Sequence, residues 1–219
     1  LTIYGMTGTG KTVAALWHLS ERNFTEMPWI VIDFKGDSHI RALQGTKPIL
    51  SGGKVPSEPG IYVARPIPES DEAWVEDLLW GIWHQGNTGL YVDEGYMIGS
   101  KSKAFNALLT QGRSKVVPMI TLSQRPVWLS RFVISEAEFH QVFFLSDSQD
   151  REIVQRFIPY DITERRLPRF HSWYYDVARD EFDGLKPVPK PSLIYSRIAA
   201  RLESLEHPQI VPTQRHHFI

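Results

Sequence analysis

The stretch that most constrains this chain is Gly5-Met6-Thr7-Gly8-Thr9-Gly10-Lys11-Thr12, set between an apolar run, Leu1 to Tyr4, and a helical pattern opening at Val13, Leu16 and Trp17. It satisfies G-x-x-x-x-G-K-[ST] in a strand–loop–helix context. Glycines let successive backbone N–H groups turn inward as an anion-binding nest, and the following helix adds the positive end of its dipole. In such a loop Met6, Thr7, Gly8, Thr9 and Gly10 cradle phosphate oxygens. Lys11 reaches the β- and γ-phosphates, and the Thr12 hydroxyl ligates Mg²⁺. The chemistry expected is binding of a nucleoside triphosphate.

Composition bounds the rest. At 219 residues the chain suits one α/β domain, or one domain with small additions. Apolar and charged fractions of 42% and 22% are those of an ordinary soluble globular chain. No apolar run approaches the about 18 residues of a membrane span, and no secretory signal is expected. Without cysteine there are neither disulfides nor thiolate metal sites. The net charge of −1 advertises no overall basic field, although residues 1–90 carry an acidic excess and residues 91–219 a basic one.

After the loop helix, Trp29 to Asp33 reads as a parallel strand buried on both faces, which places Asp33 at its carboxyl end. There Asp33 either meets a ligand or caps the following turn. Residues 51–60 read as loop and Ile61 to Val63 as a short strand. Asp71 to Trp83 has helical spacing, with Ser70 or Asp71 as its cap and Gly86 past its end. Its tryptophans suit packing against a sheet or stacking on a base. Gly89 to Glu94 is an apolar strand ending in Asp-Glu, the Walker B pattern. Asp93 would support the Mg²⁺ shell and Glu94 would polarise the attacking water. A helix from Ala104 to Gln111 and a strand from Val116 to Leu122 follow, with Pro118 near the strand's start. Gln124 then stands beside the Walker B residues, as a γ-phosphate sensor or as a buried amide satisfying loop backbone.

The ordered set of the phosphate loop, Ile32-Asp33-Phe34-Lys35-Gly36, Val92-Asp93-Glu94, and Gly112-Arg113 with Ser123-Gln124-Arg125-Pro126 resembles the FtsK–HerA superfamily of DNA-pumping ATPases. Ile134 to Glu136, Val142 to Leu145 and Asp147 to Arg151 extend the resemblance to about residue 160. In size the chain is most similar to the small genome-packaging ATPases of tectivirus-like viruses. The resemblance implies an ASCE/RecA-like α/β fold with a mainly parallel central sheet flanked by helices. It implies ATP and Mg²⁺ as cofactors, bound through Lys11, Thr12 and Asp93, with Glu94 as catalytic base and Gln124 as polar sensor. Arg113 matches the arginine finger given to a neighbouring subunit, with Arg125 and then Arg151 as rivals. Double-stranded DNA gripped by its backbone, a homo-oligomeric ring in the form of a hexamer, and a docking protein at a capsid vertex or membrane are the implied partners. The place of action would be the host cytoplasm or the virion vertex. Lys101 and Lys103 are the first candidates for a DNA-facing loop.

The ATPase core is expected over residues 1–165 and a small appendage over 166–219. The appendage comprises a strand from Arg169 to Val177, a turn from Asp180 to Gly184, an extended Pro187–Pro191 linker and an amphipathic helix through Leu193, Ile198 and Leu205. His216 and His217 read as a solvated tail. Two other classes are open: a small-molecule kinase, for which Arg165, Arg166 and Arg169 are the local lid-like cluster, and an assembly factor that binds ATP mainly to dock.

Overall fold

Thr2–Tyr4 forms β1, buried at every position, and Lys11–Ser20 forms α1, so the phosphate loop joins a central strand directly to a helix. The computed structural model describes residues 1–163 and 167–206. Along it follow β2 (Pro28–Asp33), α2 (Ser38–Arg41), β3 (Lys47–Ile49), β4 (Gly60–Ala64), α3 (Glu72–Gln85) and β5 (Gly89–Asp93). Then come α4 (Lys103–Gln111), β6 (Met119–Ser123), α5 (Arg131–Ser135), β7 (Phe139–Val142) and α6 (Ser148–Gln155). β8 (Ser172–Asp176), β9 (Glu181–Leu185) and α7 (Pro191–Glu206) complete it. Arg165, Arg166, His216 and His217 lie outside the described residues.

The strands make one sheet in the order β3-β4-β2-β5-β6-β1-β7-β8-β9. β1 to β7 pair in parallel, and only β8 and β9 run antiparallel at one edge. Helices cover both faces, because the inner strands alternate between two cores. Ile30, Ile32, Leu90 and Val92 face a cluster with Val75, Leu78 and Leu79 of α3 and Phe105 and Leu108 of α4. Trp29, Val31 and Tyr91 face Leu16 and Leu19 of α1 and Ile194, Ile198 and Leu202 of α7. Each such side chain taken fully from water contributes about 1.5–3 kcal/mol. The α3 tryptophans pack against the first cluster rather than standing free. Among the described residues no helix is long and apolar enough to cross a membrane.

Local readings differ from the structure in four places. Asp71 precedes α3, yet its carboxylate accepts from Ser51 Oγ (2.7 Å) and the Ile67 N–H (2.8 Å), not from the helix's own first turn. Asp180 to Gly184 is not a turn: only Asp180, at φ 53°, sits at the hairpin tip, and β9 starts at Glu181. β9 forms because Phe182 stacks on Trp173 and Tyr160, at centroid distances of 4.9 and 5.0 Å, while charged residues face out. The strand expected over Arg169 to Val177 is shorter, since Phe170 adopts φ 65° and cannot continue a ladder. Finally, the stretch after residue 166 adds β8 and β9 to the central sheet, and α7 docks on α1. There the Arg201 guanidinium donates to the Ser20 carbonyl and to the Arg22 carbonyl (2.6 Å), and Arg197 pairs with Glu21 at 2.9 Å.

Candidate active site

Parallel pairing brings the carboxyl ends of β2, β5, β6, β1 and β7 to one edge, where α/β sheets bind ligands. The phosphate loop is anchored there on both sides: the Gly5 N–H donates to Ser123 O (3.2 Å) and the Met6 N–H to Phe144 O (3.1 Å). Gly10 adopts φ 97°, a left-handed conformation that glycine takes without steric cost, and starts α1. Thr9 Oγ1 closes the loop on Met6 O at 2.8 Å. Met6, Thr7 and Gly8 stay exposed at the loop's crest, Thr12 is half-buried, and Lys11 is buried. Burial holds the Lys11 ammonium below the usual lysine range, and the nearby Glu94 carboxylate partly restores it.

β2 and β5 pair in register, so Asp33 and Asp93 are direct neighbours at their ends. Asp33 acts as the turn cap: its carboxylate accepts from the Asp37 N–H (2.9 Å) and from Arg65 Nε (3.0 Å). Asp93 is different. It is buried, and among the described residues no hydrogen bond or close ion pair is directed at its carboxylate. Burial, reinforced by Glu94, raises its pKa to about 7. Such a carboxylate fits Mg²⁺, which takes one or two protein ligands plus phosphate and water oxygens. Among the described residues no group of three or more His, Asp or Glu side chains could hold a metal unaided.

Glu94 is only 1% exposed and sits at φ 59°, an uncommon conformation for a non-glycine residue. One carboxylate oxygen accepts from Lys35 Nζ at 2.6 Å and lies 3.7 Å from Lys11 Nζ; the other accepts from the Gln124 N–H at 3.0 Å. The Gln124 side chain in turn accepts from Thr7 Oγ1 at 2.6 Å. The structure therefore brings Lys11, Thr12, Asp93, Glu94 and Gln124 to one place. It adds Lys35, whose role sequence reasoning missed; its signal was the charged residue in the quoted Phe34-Lys35-Gly36 turn.

The arginines separate cleanly. Arg113 stands at the amino ends of the strands, 93% exposed and paired with Glu138 at 3.3 Å. A five-residue strand such as β6 spans roughly 16 Å, which separates Arg113 from the phosphate loop at the opposite ends of the strands. Arg125 is committed to Asp150 (2.9 Å) and Asp147 (3.5 Å) and lies over the Trp128 ring. Arg151 donates to Leu145 O and Ser146 O, both at 2.7 Å. Lys101 and Lys103 border a groove that also holds Glu72 and Glu76.

No protein-family model matches the chain. Over 206 residues it is 48% identical to the DNA packaging ATPase P9 of Enterobacteria phage PRD1, covering 90% of each chain. Among solved structures, the genome packaging NTPase B204 from Sulfolobus turreted icosahedral virus 2, in complex with AMPPCP, aligns with a TM-score of 0.64 at 17% identity, over 85% of this chain and 96% of that one. VirB4 of Thermoanaerobacter pseudethanolicus aligns with a TM-score of 0.68 at 11% identity, over 87% and 89%. These two likenesses are of fold.

Proposed function

Because the chain belongs to the family of the PRD1 DNA packaging ATPase P9, we propose that it hydrolyses ATP to drive double-stranded DNA into a viral capsid, working as a ring of identical subunits. The observation that carries the chemistry is Glu94, buried at the end of β5 and held 3.7 Å from Lys11 by the Gln124 N–H.

Lys11 and the loop N–H groups bind the β- and γ-phosphates, and Thr12 and Asp93 would hold Mg²⁺. When bound, that ion neutralises charge developing on the phosphate oxygens. Glu94 takes the proton of the attacking water once Lys35 yields its carboxylate. Gln124, bridged to Thr7 on the loop, reports the γ-phosphate to Glu94 through its own backbone N–H. Arg113 acts on the nucleotide of a neighbouring copy, since its own lies across the sheet. A finger of this kind contributes about 10³–10⁵ in rate. That division of labour supports a ring, taken here as a hexamer, docked at a capsid vertex in the host cytoplasm. DNA is gripped through its phosphates, without base readout.

The test is the ATPase rate per subunit against protein concentration, with and without double-stranded DNA. A rate that climbs with both, and collapses in Arg113→Ala while ATP binding persists, is expected. A rate flat in concentration and blind to DNA would overturn the ring motor, and phosphate appearing on an added nucleoside would establish a kinase instead.

A further inference from the structure

The phosphate loop accounts for a triphosphate but not for the nucleoside attached to it. Beside the start of α1 lies a pocket of about 300 Å³, walled by Gly10, Val13, Phe143, Phe170 and the segment 186–191 that joins β9 to α7. That volume is at the lower end of small-molecule pockets, roughly 300–1,000 Å³. Gly10 is part of both the phosphate loop and the pocket wall, so the two sites adjoin.

Phe170 is the unusual wall. A bulky residue at φ 65° is a steric outlier, and such strain persists only where surroundings over-determine it, commonly at ligand sites. Burial does not offset it here, because the residue stays 42% exposed. What the conformation achieves is placement. The Phe170 ring lies over the phosphate loop, its Cδ1 3.1 Å from the point a Cβ on Gly10 would occupy, and the Arg169 guanidinium stacks on it at 4.6 Å. Phe143, buried, supplies a second aromatic surface.

The polar lining is sparse. Gln141 borders the pocket, but its Oε1 is engaged by His18 (2.8 Å) and its Nε2 donates to Ser172 (2.9 Å). Pro187, Pro189 and Pro191 have no N–H, and Lys186 and Lys190 are the charged residues that also line the pocket. Aromatic and prolyl surface therefore dominates, which suits the flat apolar faces of a base.

We infer that Phe143, Phe170 and the Pro187–Pro191 linker form the base site of the nucleotide, with the base stacked on Phe170. The inference rests on the reading of Gly5–Thr12 as the triphosphate site. It gives the linker between β9 and α7 a part in nucleotide binding, beyond its place in the fold.

The experiment measures ATP kinetics for the full chain, for Phe170→Ala and for Phe170→Tyr, together with inhibition by inorganic tripolyphosphate, which has no base. Loss of one stacking ring is expected to raise the ATP KM about tenfold, with the loss in KM rather than kcat. Tyrosine should restore it, and the tripolyphosphate Ki should not move. An ATP KM untouched in Phe170→Ala, or a tripolyphosphate Ki rising in parallel, would overturn the base site. The phosphate-site reading fails separately, if tripolyphosphate binding survives Lys11→Ala.

Discussion

Lys35 Nζ lies 2.6 Å from Glu94 Oε1, an ion pair that ties the turn after β2 to the turn after β5 across 59 residues of sequence. The carboxylate is buried while the ammonium is partly exposed, so solvent reaches the pair from the lysine side. Removing the cation strands a buried anion. Lys35→Met should lower stability by about 1–2 kcal/mol, a charged hydrogen bond partly screened by water, measured by urea denaturation at neutral pH.

Glu94→Gln keeps the side chain's size and one acceptor oxygen, for either Lys35 or the Gln124 N–H, so the fold should hold at somewhat reduced stability. MgATP binding should persist while turnover falls by about 10²–10⁴, the usual span of a lost general base. Isothermal titration beside a phosphate-release assay separates the two; equal loss of binding would remove Glu94 from the base role.

Asp93 links site and stability through pH. Its folded pKa, raised to about 7, exceeds the ordinary carboxylate value, so the folded chain without nucleotide holds more protons than the unfolded one between about pH 4 and 7. Its contribution to stability is therefore full below about pH 4 and is lost as pH rises through 7. Asp93→Asn should remove this dependence, raising Tm above pH 7 while abolishing Mg²⁺-dependent turnover. A Tm in the variant that still falls across that window as in wild type would refute the assignment.

Arg113 and Arg125 should part company. Arg113→Ala breaks only an exposed pair, worth at most about 1 kcal/mol, yet turnover should fall by about 10³ or more if it serves a neighbouring site. Arg125→Ala removes the cation from a carboxylate pair that includes buried Asp150, so its loss should appear first in stability, at about 3 kcal/mol. Mixing Arg113→Ala with Glu94→Gln chains should restore some turnover only if the arginine acts between subunits.

The segment after residue 166 shares the main core, and Ile198 is fully buried against it. Ile198→Ala should cost about 2–4 kcal/mol in one cooperative urea transition. A separate early transition would instead show an independent appendage.

The legibility of the site follows from what kind of constraint each part obeys. Gly10, Lys11, Thr12, Asp93 and Glu94 match patterns in which the proposed phosphate and metal chemistry would fix residue type and local spacing, so they can be read without coordinates. The same holds for the inner strands, whose apolar runs have one plausible burial. Lys35 could be seen as a residue but not as a partner of Glu94, because their contact depends on β2 and β5 lying side by side in register. Phe170 was hidden for another reason. Its aromatic neighbours suggested one long strand, and nothing local announces the left-handed turn that sends its ring to Gly10. β9 was masked by Asp183 and Gly184, residues poor in strand propensity that an outermost strand tolerates.

Those two outermost strands have a consequence for assembly. One border carries Lys47 and Pro48 and the other Glu181, Asp183 and Gly184, all residues that discourage further main-chain pairing. Such borders disfavour the zipping of copies into one continuous β-ribbon. In the ring proposed above, neighbours would then meet through side chains and turns, contacts that can be made and released, whereas a shared backbone ladder would weld them into a static collar.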